Sequence, residues 1–165
     1  MPKRDATGPV TLSVLDRLID REPKNSSEIA FTRAQSLREL KLGLKRDLEW
    51  LLNTRRTIDP APDSARETVR SVYQYGLSDI SSKWVLSSRD HGDLVREMEL
   101  AIAVFEPRLK RAKVRMEQTT GNFRTLKFVI EGLLCMDPAP EPVRFDTVLE
   151  LGKGEYEVKG ADLAQ

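Results

Sequence analysis

The 165-residue chain holds one cysteine, Cys135, and one histidine, His91. A lone cysteine excludes an internal disulfide framework and leaves no cluster for a cysteine-ligated structural metal. A lone histidine rules against a multi-histidine zinc site and a Ser/His/Asp triad. No uninterrupted apolar run approaches the roughly 20 residues of a membrane helix, and Met1 to Val10 lacks the apolar stretch of a signal peptide. The expectation is a cytoplasmic protein with no direct membrane insertion. Gly-rich phosphate loops and metal-ligand spacings are missing too, so no cofactor and no metal are expected. Charge of one sign is also lacking: the net value is +1, and no overall field draws the chain toward nucleic acid.

What the chain does have is enough apolar material for one domain. At 39% apolar it is able to remove roughly 70% of its unfolded surface from water. The near-zero charge hides a pattern. Residues 104–127 carry 7 bases and 2 acids, whereas residues 137–165 carry 3 bases and 7 acids. Such asymmetry within one small domain suits docking among protein neighbours better than catalysis on a small molecule.

Residues 1–10 read as a flexible leader, 11–160 as one domain, and 161–165 as a tail. A first short helix is expected from about Thr11 to Asp20, with Leu12, Leu15, Leu18 and Ile19 on one stripe. The connector Glu22 to Ser27 leaves this helix either folded back or lent to a neighbour. A second helix, capped by Ser36 with Glu39, carries Leu37, Leu40, Leu44, Leu48, Leu51 and Leu52 on one face to about Asn53. Its other face, with Arg38, Lys41, Lys45, Arg46 and Glu49, reads as solvated surface, because no aromatics interleave it. After the linker Ile58 to Ser64 comes a helical turn through Val69 and Val72. Gly76 then allows a positive φ in the turn Tyr73 to Asp79. A third long helix is expected to begin between Asp90 and Asp93 and to run through Leu94, Met98, Ile102 and Phe105 until Pro107 stops it.

Beyond Pro107 the period changes from 3.6 to 2. Ala112, Val114 and Met116 alternate with Arg111, Lys113 and Arg115, the signature of a half-buried strand. Thr119 to Asn122 is expected to turn the chain into a return strand through Leu126, Phe128, Ile130 and Leu134. Asp137 to Pro142 reads as a stiff connector, unsuited to a central strand. Val143, Phe145, Thr147, Leu149 and Leu151 then alternate with charges, and Gly152 to Gly154 leads to Tyr156 and Val158. The fold class is α+β: N-terminal helices, then two β-hairpins in a small, mostly antiparallel sheet packed on the helices.

The most distinctive element is Glu106-Pro107-Arg108 at the helix-to-sheet junction. Pro107 stiffens the backbone and presents a carboxylate and a guanidinium together. Two readings stand: an internal clamp of helix end to sheet, or a polar device that meets another protein. A glycosidase needs two carboxyls at a defined spacing with one pKa raised, and no second acid is singled out, so an enzyme is not expected. His91 reads as an exposed loop residue, Cys135 as a small core group, and Trp50 and Trp84 as core. The last hairpin is expected to lie at a sheet edge, where Glu155, Tyr156, Glu157 and Val158 offer unpaired backbone groups to a strand from another chain.

In order along the chain, four segments resemble one family, the baseplate wedge subunit of type VI secretion systems (TssE), related to phage tail baseplate proteins once labelled lysozyme-like. They are Ser13-Val14-Leu15-Asp16-Arg17-Leu18, Tyr75-Gly76-Leu77-Ser78-Asp79, Phe105-Glu106-Pro107-Arg108-Leu109, and Asp137 to Thr147. Ser78 stands where the family usually has proline. The resemblance spans about residues 12–160. It implies a non-enzymatic structural part of a cytoplasmic, membrane-docked bacterial baseplate. The implied partners are the two larger wedge subunits, whose core bundle would meet Glu106, Pro107 and Arg108, and the sheath subunits, which would start assembly by strand exchange. A peptidoglycan hydrolase and a regulatory adaptor are the alternatives.

Overall fold

The computed structural model describes residues 8–19, 23–24, 31–62, 64–79, 88–117 and 124–162. The expected hairpin loop at 119–122, Trp84 and most of the 22–27 connector lie outside the described residues. Four helices come first: α1 (Val14–Leu18), α2 (Arg33–Asn53), α3 (Arg66–Val69) and, after a 3-10 turn at Val72–Gln74, α4 (Ser88–Phe105). Four strands follow: β1 (Leu109–Glu117), β2 (Thr125–Leu134), β3 (Glu141–Glu150) and β4 (Glu155–Asp162). The chain is therefore α+β, as its change of period implies.

The cap of α2 is one turn earlier than Ser36. Thr32 accepts from the Gln35 amide while the Gln35 side chain accepts from the Thr32 amide, a complete capping box. Ser36 is instead buried inside the first turns, donating to the Arg33 carbonyl and accepting from the Val10 amide at 2.8 Å. That bond, with Arg33 reaching the Gly8 carbonyl, holds residues 8–10 against α2. Helix α1 is shorter than its apolar stripe, because Ser13 caps it and Ile19 leaves helical geometry. α4 starts at Ser88, before the acids expected to open it, and ends at Phe105, just ahead of Pro107.

The strands form one antiparallel sheet in the order β1-β2-β3-β4, so the two hairpins are joined side by side as a meander. Register places Met116, Phe128, Thr147 and Val158 in one inward row, and Leu126, Leu149 and Tyr156 in the next. α4 packs beside β1 and α2 beside β4 on that face. Leu44, Leu48, Leu51, Met98 and Ile102 meet Phe128, Ile130, Phe145 and Val158 there in the core. The outward face carries Arg115, Glu117, Lys127, Asp146 and Glu157. The alternation in β1 holds from Ala112 onward. Before it, Leu109 also points inward, and the odd spacing is absorbed by a bulge between Lys110 and Lys113 with Arg111 at φ 54°.

Several expectations are corrected. Pro142 does lie in a central strand, opposite Leu133, but β4 reaches only as far as Arg144. Pro142 thus sits beyond the end of the neighbouring strand, where its missing N–H breaks no ladder bond to β4. Cys135 is exposed just past the end of β2. His91 is half-buried within α4, which has already started by that point. Trp50 is 53% exposed, because it falls on the flank of α2 between the core stripe and solvent. β4 runs to Asp162, two residues into the stretch read as a tail.

Gly76 has a backbone requirement. Its φ is 105°, and a Cβ there would lie 2.2 Å from the Thr54 carbonyl oxygen, which accepts from the Leu77 amide in a short parallel bridge. A Gly76→Ala variant is expected to lose at least about 2 kcal/mol of unfolding free energy in urea denaturation. A loss below about 0.5 kcal/mol would mean this turn is not constrained as described.

Candidate functional site

At the corner where α4 gives way to β1, Pro107 leaves the helix and returns the chain as a strand. Glu106 and Arg108 flank it and meet directly. Arg108 Nε donates to Glu106 Oε1 and Nη2 donates to Glu106 Oε2, both at 2.6 Å. The Arg108 amide adds a longer bond to Oε1. Glu106 is only 5% exposed, while Pro107 is exposed and the Arg108 side chain keeps about a quarter of its surface in solvent. The internal clamp is therefore made, and what the corner presents outward is the proline and the edge of the guanidinium.

The clamp extends further than Glu106-Pro107-Arg108. Arg108 Nη2 also donates to Asp47 Oδ2 on α2 at 2.5 Å. Arg46, next along α2, donates to Asp47 Oδ1 and, through Nη1, to Asp16 Oδ1 of α1 at 2.7 Å. Five charged groups from three parts of the chain thus form one line: Asp16, Arg46, Asp47, Arg108, Glu106. Its approach to α2 needs Gly43, since a Cβ there would lie 2.6 Å from Asp16 Oδ2. The Arg46 guanidinium also lies 5.1 Å from the Trp50 ring. Arg46 is accordingly no free surface charge, and Lys41 on the same helix pairs with Glu141 at 2.6 Å.

Bond partners shift the pKa values of Arg108 and Asp16 in this line. Hydrogen bonding to Glu106 raises the Arg108 pKa above its ordinary value; burial opposes this, and the Glu106 and Asp47 charges reinforce it. For Asp16, burial by itself would raise the carboxyl. Bonds from Ser13 and Arg46, with the charges of Arg46 and Arg108, outweigh burial and hold it below the usual carboxylate value. Burial also pushes the Tyr75 hydroxyl up, helped by Asp47 and Glu106.

Beside this line lies a groove of about 350 Å³, its walls formed by Leu15, Trp50, Tyr75, Phe105 and Pro107. Tyr75 and Phe105 meet edge to face at 5.2 Å. The groove joins apolar walls to a charged floor. Glu106 and Asp47 are both held by one guanidinium, which fills the space between them where a glycosidase would need room for sugar. Among the described residues no group of three or more His, Cys, Asp and Glu is placed to hold a metal ion. No helix among them is long and apolar enough to cross a membrane.

The second expected site, Glu155 to Val158, begins β4, which is an edge of the sheet. Tyr156 and Val158 are buried by side chain, while Glu155 and Glu157 face solvent. The backbone of Tyr156 is nevertheless occupied. Asn53, at the end of α2, accepts from its amide and donates to its carbonyl, both at 2.8 Å. Glu106, Pro107 and Arg108 thus lie together, and the β4 residues form a separate place on the far flank of the sheet. Asp16, Arg46, Asp47 and Asn53 were not singled out by sequence reasoning. The adjacent Arg46-Asp47 with Trp50 four residues from Arg46 was the available signal.

A family model described as Baseplate wedge protein gp25 matches residues 38–139. The match takes in the Tyr75 turn and the whole Glu106-Pro107-Arg108 corner, and leaves α1 and the last hairpin, β3 and β4, outside it. No curated protein and no solved structure matches the chain.

Replacing Arg108 by Met strands the buried Glu106 carboxylate and should cost about 3 kcal/mol in urea denaturation, and adding Glu106→Gln should restore most of it. An additive double variant would show that the two groups do not act as a pair. Because the Asp16 carboxyl is lowered in the folded chain, its contribution exists above the unfolded value of about 4 and fades as pH falls through the lower, folded value. The wild-type advantage over Asp16→Asn should therefore be present at pH 7 and vanish toward pH 2. A constant difference across that range would contradict the Asp16 to Arg46 link.

Proposed function

Because the chain belongs to the baseplate wedge protein gp25 family, a family of structural baseplate components, we propose that it docks onto the core bundle of the wedge through the Pro107 and Arg108 corner. The carrying observation is the combination at this corner. An exposed proline and a partly exposed guanidinium stand rigidly beside a groove walled by Leu15, Trp50, Tyr75 and Phe105. An exposed Trp50, half-buried Tyr75 and Phe105 and an oriented arginine are the kinds of residue that make protein-binding hot spots. Glu106, buried and paired on both oxygens, aims Arg108 and does not itself meet the partner.

The same reading gives the sheet a second task. The β4 edge at Glu155, Tyr156, Glu157 and Val158 accepts a strand from the sheath subunits and so connects wedge to sheath. The machine is a bacterial type VI secretion baseplate, and the chain works on its cytoplasmic side. A rigid corner whose guanidinium is bonded to both Glu106 and Asp47 supports a positioning role over a chemical one.

The test is co-purification of the full chain with its wedge partners from the native cells. Trp50→Ala keeps the five-group line, because Trp50 contributes only a ring face to Arg46. It should leave the fold intact by circular dichroism and weaken capture of the wedge partners by at least about tenfold. Unchanged capture by Trp50→Ala and by Arg108→Lys together would reject the docking site. Clearing of purified cell wall by wild type, lost in Glu106→Gln, would favour a hydrolase instead.

A further inference from the structure

Both edges of the sheet carry a side chain where a neighbouring strand would sit. On β1, the Val114 amide donates to Glu99 Oε1 of α4 at 3.0 Å, and the bulge at Arg111 distorts the strand just before it. On β4, the carboxamide of Asn53 is more complete. Oδ1 accepts from the Tyr156 amide and Nδ2 donates to the Tyr156 carbonyl, the same pair of bonds that an antiparallel strand would make. The second Nδ2 hydrogen goes to the Glu49 carbonyl at 2.9 Å, so the whole amide is satisfied. Asn53 is itself exposed, hence displaceable, and by strand alternation the next outward-facing backbone pair of β4 is at Val158. Among the described residues no side chain caps that pair.

We propose that Asn53 is a placeholder for an incoming strand on β4, and that the strand it reserves the edge for belongs to another protein and alternates apolar with basic residues. The inference rests on the strand-addition reading above and adds to it the gate and the partner's chemistry. Register dictates the pattern. A residue set beside Val158 would continue the inward row Met116, Phe128, Thr147, Val158, and one beside Tyr156 the row Leu126, Leu149, Tyr156, so both must be apolar. The residue between them falls beside Glu157, which pairs with Lys159 at 3.3 Å, and the next falls beside Glu155; two acids against one base leave this part of the edge net acidic, which favours basic residues there. The chain's own β1 has this alternation, in Arg111, Lys113 and Arg115 between Ala112, Val114 and Met116. Its bulge and the Glu99 cap keep it from serving a second copy, which leaves the β4 edge to a foreign strand.

The β1 sequence supplies the probe. A synthetic peptide of residues 110–117, free of the bulge and of Glu99, is titrated into the full chain by fluorescence anisotropy. A control peptide carries Glu in place of Arg111, Lys113 and Arg115. The Asn53→Ala chain should bind the basic peptide on the order of tenfold more tightly than wild type, the factor that two modest hydrogen bonds are worth when they no longer have to be displaced. The control peptide should bind neither chain. Independently of any variant, saturating wild type with the basic peptide should speed hydrogen exchange at the Asn53 side-chain amide. Equal binding to both chains, or an Asn53 amide unaffected by the peptide, overturns the placeholder and leaves strand addition standing. Binding to neither chain overturns both. Equal binding of the control peptide overturns the charge pattern, and concentration-dependent association of wild type in sedimentation would assign the edge to a second copy.

Discussion

A guanidinium that joins carboxylates from two separate elements leaves little freedom in how those elements meet. Arg108 does this at the one point where helix becomes sheet, holding Glu106 beside it and Asp47 on α2. The bond to Glu106 closes the corner around Pro107, and the bond to Asp47 ties that corner to the longest helix. Arg46 continues the line to α1 through Asp16. Taking these charges partly out of water is costly, and the arrangement offsets that cost by giving each buried oxygen a donor. The hydrophobic core alone would hold α2 and α4 against the sheet. The charged line determines the angle at which their ends present the groove.

This explains why a carboxylate so well placed in sequence is nevertheless unavailable to a partner. Glu106 lies beneath Pro107, and orientation of Arg108 consumes both its oxygens. A rigid, partly desolvated arginine loses less entropy on binding than a free one. The apolar walls beside it supply the area that a lone charge cannot. The clamp is made within the chain, and under the proposed docking it is also the means by which the corner would be held ready for a partner.

Much of this was legible in the residues. Local periodicity identified α2, the course of α4 and the inward rows of all four strands, because each pattern follows from side-chain geometry within one element. The start of α2 was misplaced by one turn, since Thr32 with Gln35 and Ser36 with Glu39 are equally good capping pairs. Only the burial of Ser36 against Val10 decides between them. The bulge at Arg111 was invisible because its cause is long-range: Leu109 and Val114 must both face the core. Trp50 looked like core because aromatic residues usually are, yet its place on the helix wheel, between core stripe and charged flank, pointed to the surface. Asp47 and Asn53 have local partners too, Arg46 and the Glu49 carbonyl, but the contacts that give them their roles lie 61 and 103 residues away and leave no local trace.

Each edge of the sheet carries a side chain bonded to its backbone, which works against pairing with a second copy of the chain. Its edges are complementary, basic at β1 and acidic at β4, so bare ladders would invite head-to-tail stacking without closure. The protections differ in kind. The β1 edge is bulged and capped by a carboxylate from a helix packed directly against it, a block that cannot be lifted without disturbing the α4 and β1 contact. On β4 the cap is one neutral amide at the end of α2, bonded to Tyr156 and to the Glu49 carbonyl and open to solvent. The difference between the caps is what makes β4 the candidate edge for the proposed strand addition.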